Sequence, residues 1–164
     1  MPTIAVGHAP SGSPGTLGPV IARHRPFELD DDPLRPDRDA VWRYLSTEAY
    51  WGRWRSREQV EQQIDGAWRV VGAYDAAGAT VGFGRAVSDG VGFAYLADVY
   101  VEESVRGHGL GTALVRFMID DGPGRGFRWA LHTRDAHGLY ARFGFVPPDD
   151  SYRERSGANP ATLP

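Results

Sequence analysis

The stretch Phe93-Ala94-Tyr95-Leu96-Ala97-Asp98-Val99-Tyr100-Val101, with Arg106-Gly107-His108-Gly109-Leu110-Gly111 a few residues later, decides the fold. The first part is an apolar run of strand-favouring residues bounded by turn signals, which predicts a buried strand. The second part opens a helix. Leu110, Ala113, Leu114, Phe117 and Met118 recur at i, i+3, i+4, i+7 and i+8, the stripe of a helix packed on a sheet. Gly122-Pro123-Gly124 ends that helix. Between strand and helix, the glycines let backbone N–H groups converge on an anion, with the positive end of the helix dipole behind them. Two phosphate motifs fail here. No Gly-Lys-Ser/Thr follows, and in G-x-G-x-x-G the last position is Thr112 counted from Gly107 and Leu114 counted from Gly109. What remains is R-x-x-G-x-G at Arg106, Gly109 and Gly111. Alone, that pattern also fits a glycine-rich turn without a ligand.

Working outward, Trp68–Tyr74 and Thr80–Val87 read as a hairpin around the turn Asp75–Gly78, and Ser88-Asp89-Gly90 turns into the strand already quoted. Phe127, Trp129 and Leu131 alternate in a strand over Phe127–His132. A short helix carries Leu139, Tyr140 and Phe143, Gly144 closes it, and Phe145 and Val146 are expected to open a last strand. Upstream, Phe27–Leu29 starts the first strand. Asp37 or Asp39 caps a helix running through Leu45, and Ser56 with Gln59 forms a capping box before a second helix. Residues 1–26, rich in Gly, Pro and Ser, read as a flexible arm, 27–155 as one domain and 156–164 as a loose tail. The order predicts a single-domain α/β fold, a mixed sheet with helices on its faces.

Composition narrows the chemistry. The chain has 164 residues, no cysteine and a formal net charge of −3. A single domain of this size buries roughly two thirds of the surface its unfolded chain exposes, so it needs no staples. Without cysteine there is no disulfide, thiolate metal site or cysteine nucleophile. All 18 basic residues are arginine, so no lysine is available for Schiff-base chemistry. The acidic balance argues against a nucleic-acid partner. No apolar run approaches the roughly 20 residues of a membrane helix, and the N-terminus lacks the pattern of a signal peptide. The expectation is a soluble cytoplasmic protein without a membrane partner. His132, Asp135 and His137 lack the one-face spacing of a zinc helix, so no metal is expected.

Two motifs carry a resemblance. Arg106, Gly109 and Gly111 stand ahead of the long helix, and Leu139-Tyr140-Ala141-Arg142-Phe143-Gly144-Phe145 is similar to an L-Y-x-x-x-G-F segment. In this order and on these elements, the chain resembles the GNAT superfamily of N-acetyltransferases over roughly residues 27–148. The resemblance implies a mostly antiparallel sheet splayed between its fourth and fifth strands, with acetyl-CoA as co-substrate. Backbone groups around Val99 and Val101 would then meet the pantetheine. The segment Arg106, Gly107, His108, Gly109, Leu110, Gly111 and Thr112 would hold the pyrophosphate. Thr133 stands where many members have an asparagine that contacts the coenzyme. Tyr140 would be the general acid toward the departing thiolate, with a packed helix tyrosine as the alternative.

Three further places are open to more than one reading. Asp98 interrupts an apolar strand, so it faces a cleft, water or an arginine: it is a base or acceptor-binding group on one reading and half of an ion pair on the other. His132 ends the next strand, with a pKa range suited to base work, or else is an ordinary surface histidine. Asp135 fits a helix N-cap. Tyr50, Trp51 and Trp54, interleaved with arginines, either shape the acceptor site or cover the sheet. The expected partner is a small-molecule amine, a homodimer staying open. The expected activity is acetyl transfer from acetyl-CoA to a primary amine, and the alternative is a non-catalytic acyl-CoA-binding sensor or scaffold.

Overall fold

The computed structural model describes residues 19–155. Six strands form one sheet in chain order: β1 (Ile21–His24), β2 (Phe27–Asp30), β3 (Arg69–Tyr74), β4 (Thr80–Ser88), β5 (Phe93–Val101) and β6 (Arg128–Ala130). Neighbours are antiparallel except β5 and β6, which run parallel around the intervening helix α3 (Leu110–Ile119). Helices α1 (Arg38–Thr47) and α2 (Arg57–Asp65) precede β3, and α4 (His137–Ala141) follows β6. No helix among the described residues is long and apolar enough to cross a membrane.

Each face of the sheet has its own core. On one, Leu110, Leu114, Phe117 and Met118 of α3 pack against Leu29, Val71, Ala73 and Leu96. A fully buried side chain of that kind contributes about 1.5–3 kcal/mol, so α3 is firmly seated and its N-terminus is held in place. On the other face, Val41, Tyr44 and Leu45 of α1 and Val60 and Ile64 of α2 close over Val70, Phe83 and Tyr100. Asp37 caps α1, accepting from the amides of Asp39 and Ala40, and Ser56 and Gln59 complete the capping box of α2.

The sheet opens where it matters. β5 and β6 pair only at Phe93–Arg128, Ala94–Trp129 and Tyr95–Ala130, after which β6 ends while β5 continues to Val101. The register of β4 against β5 also shifts between Phe83 and Arg85. Across that shift Asp98 sits at φ 54°, an uncommon backbone state for a residue with a side chain. A bulge of this kind bends its strand, and here it directs the unpaired half of β5 away from β6. This is the splay implied for the fourth and fifth strands, which become β5 and β6 because the sheet has an additional strand at its N-terminal edge.

Three expectations change. The sheet begins at Ile21, inside the segment read as an arm, because residues 21–24 pair antiparallel with β2 although their own pattern is not apolar. Phe145 and Val146 open no strand among the described residues; Phe145 instead packs on the core with its ring against Tyr140. β6 is shorter than Phe127–His132. The rest of the arm, residues 1–18, and the tail 156–164 lie outside the described residues.

Candidate active site

Main-chain donors come first. Gly107 and Gly109 take φ values of 84° and 74°, the left-handed region that glycine enters without a Cβ penalty, and Gly109 is the N-cap of α3 with no side chain capping the helix. As a result, the amides of residues 107 to 112 donate to nothing among the described residues. A run of free N–H groups at the mouth of a buried helix is an anion cradle. A Cβ built on Gly107 would meet nothing within 4 Å, and one on Gly111 would meet only Val101 Cγ2 at 3.8 Å, so a ligand has room to approach the backbone. The residues present therefore fit a diphosphate group. Arg106 braces the loop from behind: its Nε donates to the Val101 carbonyl at 3.0 Å and its Nη2 to the Tyr44 hydroxyl at 2.9 Å.

This cradle opens into a cavity of about 1070 Å³. Val99 and Val101 of the unpaired half of β5 line it, as do Arg106, Gly107, Gly109, Leu110, Gly111 and Thr112. Tyr50 and Trp51 form its lip, and Tyr140 of α4 stands in its wall. Tyr140 is 8% exposed, and burial, reinforced by Tyr50 and the charge of Asp135, pushes its phenol up to about 12. It is fully protonated at neutral pH.

Several candidates lie elsewhere. His108 is outside the lining; its carbonyl is hydrogen-bonded to His24 Nε2 at 2.8 Å, and its Nδ1 lies 3.2 Å from the Val105 carbonyl. Thr133 is also outside, its hydroxyl accepting from the Ala136 amide at 3.1 Å. That contact serves the start of α4, so Asp135 is not the N-cap: the cap position is Ala136 and Asp135 lines the cavity. Trp54 is half-buried away from the lining, and its indole N–H donates to the Trp51 carbonyl at 3.0 Å, bracing the lip instead of forming it.

The two candidate bases are both engaged. Asp98 is buried, with Oδ1 and Oδ2 accepting from Arg55 at 2.7 and 2.8 Å and Oδ2 also from Arg85 at 2.7 Å. Burial alone would push this carboxyl up, but the bonds from Arg55 and the charge of Arg85 prevail and hold it below its usual range. The arginine alternative therefore describes Asp98: both oxygens are occupied, and it neither lines the cavity nor faces an acceptor there. His132 is exposed outside the lining. Its Nε2 lies 2.8 Å from Glu154 and its Nδ1 2.8 Å from the Tyr95 hydroxyl. A carboxylate only accepts, so the neutral ring carries its hydrogen on Nε2 and its one lone pair receives the Tyr95 proton. In this arrangement neither nitrogen is open to an incoming amine.

Residues of α1 and its C-cap complete the cavity unannounced by any motif: Arg43, Tyr44, Thr47 and Glu48 line it, as do Glu102, which pairs with Arg43 at 3.3 Å, and Glu103. The spacing of Val41, Tyr44 and Leu45 puts Tyr44 on the packed face of α1, where it stacks on Tyr100 with centroids 3.8 Å apart.

Comparison with known proteins bears on this geometry. The model of the acetyltransferase (GNAT) family matches residues 31–145. Serotonin N-acetyltransferase 2, a chloroplastic protein of Oryza sativa subsp. japonica, is 34% identical over 104 residues, which are 60% of this chain and 52% of the rice protein. The chain thus spans about half the length of that relative. A solved GNAT-family structure from Xanthomonas campestris pv. campestris is 34% identical, with a TM-score of 0.76 over 84% of this chain and 97% of the other. A Deinococcus radiodurans structure at 21% identity shares the fold, with a TM-score of 0.63 over 82% of this chain and 92% of that one. With the family model covering most of the described sheet and helices, the chain belongs to the GNAT family of acetyltransferases.

Proposed function

We propose that the protein transfers an acetyl group from acetyl-CoA directly to the primary amine of a small molecule. One observation carries this reading: Gly107 and residues 109 to 112 with their unpartnered amides, the unpaired half of β5 and the protonated Tyr140 all border one cavity. Acetyl-CoA would supply the activated acyl group as a thioester. The amides of 107 to 112 would hold its diphosphate, and main-chain groups around Val99 and Val101, without a strand partner on the β6 side, would orient the pantetheine. An N–H at that strand end would stabilise charge developing on the carbonyl oxygen. Tyr140 would deliver its proton to the leaving sulfur. Asp98 and His132, with their polar atoms engaged, are not assigned the removal of the amine proton.

The aromatic lip of Tyr50 and Trp51, together with the activity printed in the rice relative's name, supports arylalkylamines as the first acceptors to assay. The test is thiol release from acetyl-CoA with a panel of amines. Acetylated product with at least one amine supports the enzyme. Coenzyme binding with no thiol release from any amine would overturn it in favour of a binding module.

A further inference from the structure

The additional edge strand β1 reaches the anion cradle through one side chain. Ala22 of β1 stands opposite Leu29 and His24 opposite Phe27, and Ala22, Leu29 and Phe27 belong to the core on the α3 side of the sheet. His24 therefore emerges on that side, beside the mouth of α3. Its Nε2 lies 2.8 Å from the His108 carbonyl oxygen. A carbonyl only accepts, so this nitrogen carries a ring hydrogen and donates it. The ring also closes on the next residue: a Cβ built on Gly109 would meet Nε2 at 3.6 Å and Cε1 at 3.7 Å. His108 is held from two further sides. Its ring meets Phe27 edge-on with centroids 6.2 Å apart, and its own Nδ1 lies 3.2 Å from the Val105 carbonyl.

The bond from His24 bears on the cradle because the His108 carbonyl and the Gly109 N–H are the two ends of one peptide unit. In a planar trans peptide these two groups point opposite ways. With the oxygen drawn to His24, the Gly109 N–H faces away from β1. Gly109 itself lines the coenzyme cavity, and its amide has no partner among the described residues. The loop's own sequence leaves this orientation open. Glycine takes φ of either sign at little steric cost, so the unit could turn over at Gly109 while the Gly109 carbonyl keeps its helical bond to the Ala113 amide at 3.0 Å. β1 supplies the missing restraint. A donor already aimed at its ligand avoids an ordering cost on binding, and accepting a bond at the oxygen polarises the unit and strengthens its N–H.

Resting on the acetyltransferase reading, we propose that His24 is a positioning residue for the coenzyme: it fixes the peptide between His108 and Gly109 so that the Gly109 N–H meets the diphosphate. The test is calorimetric titration of the full chain with CoA and with pantetheine, which lacks the diphosphate. His24→Phe keeps a ring on the strand and removes the donor. CoA affinity should then fall about five-fold, the effect of one hydrogen bond, while pantetheine affinity stays within about two-fold. His24→Gln, whose amide N–H reaches about as far as Nε2, should recover most of the CoA affinity. Unchanged CoA affinity in His24→Phe, an equal loss for pantetheine, or a glutamine variant as weak as the phenylalanine one would overturn the proposal. Should His24→Phe fail to fold, His24→Asn, whose amide stops short of the carbonyl, takes its place with the same expected results. Failure of the unaltered protein to bind CoA would overturn the acetyltransferase reading as well, whereas the three results above strike the role of His24 alone.

Discussion

At the scale of single residues, Tyr140 and Asp98 carry the sharpest expectations, and they point in opposite directions. Tyr140→Phe keeps the ring in its packed place and removes the proton. Turnover should fall about 100-fold, the lower end for a general acid, while CoA affinity measured by calorimetry stays unchanged. Since burial pushes the phenol up to about 12, its ionisation should cause no loss of rate between pH 7 and 10. Asp98→Asn acts on stability. It leaves two buried guanidinium groups facing a neutral amide, an expected loss of about 3–5 kcal/mol, readable by denaturant titration. A carboxyl held below its ordinary value of 3.8 contributes in full above that value and loses its contribution as pH falls through the folded value. Stability of the unaltered protein should therefore drop in acid below about pH 4, a loss that Asp98→Asn lacks. Tyr140 was legible because its neighbours Leu139, Gly144 and Phe145 stand in a recognisable pattern. Asp98 was legible as an anomaly in an apolar strand, but its partners are Arg55, 43 positions away, and Arg85 on the neighbouring strand, and no local pattern names them.

The elements behave as their ends dictate. Ser56→Ala removes one arm of the capping box of α2, with an expected cost of about 1 kcal/mol and a fall in Tm of about 2–4 °C in a thermal melt. Gly109→Val is more severe. A β-branched residue is strained at φ 74°, so the loop should abandon the geometry that frees its amides, and CoA binding should be lost in calorimetry. Unchanged affinity would contradict the cradle. Long elements with a clear period, α3 and β5 above all, were readable from spacing alone. Elements without one were not. β1 shows an exposed-to-intermediate alternation with Arg23 and His24, and only its pairing with β2 makes it a strand. Phe145 carries strand-favouring chemistry yet is held by Tyr140 and the core, a tertiary contact that overrides propensity.

For the whole molecule, the proposed reaction rests on a sheet that is incomplete. Three residue pairs join β5 to β6, and the bulge at Asp98 then turns the rest of β5 toward the cavity. One motif placed the anion cradle and another placed Tyr140, but the α1 wall of the cavity came only with the fold, because helix–sheet packing brings Tyr44 beside Arg106 across 62 positions. A crystal structure of the protein with CoA tests this arrangement most directly. The account predicts the diphosphate on the amides of 107 to 112, the pantetheine along Val99 and Val101 in the gap beyond Tyr95, and the sulfur within reach of the Tyr140 hydroxyl. A coenzyme bound elsewhere, or β5 and β6 paired along their full length with no gap, would contradict it.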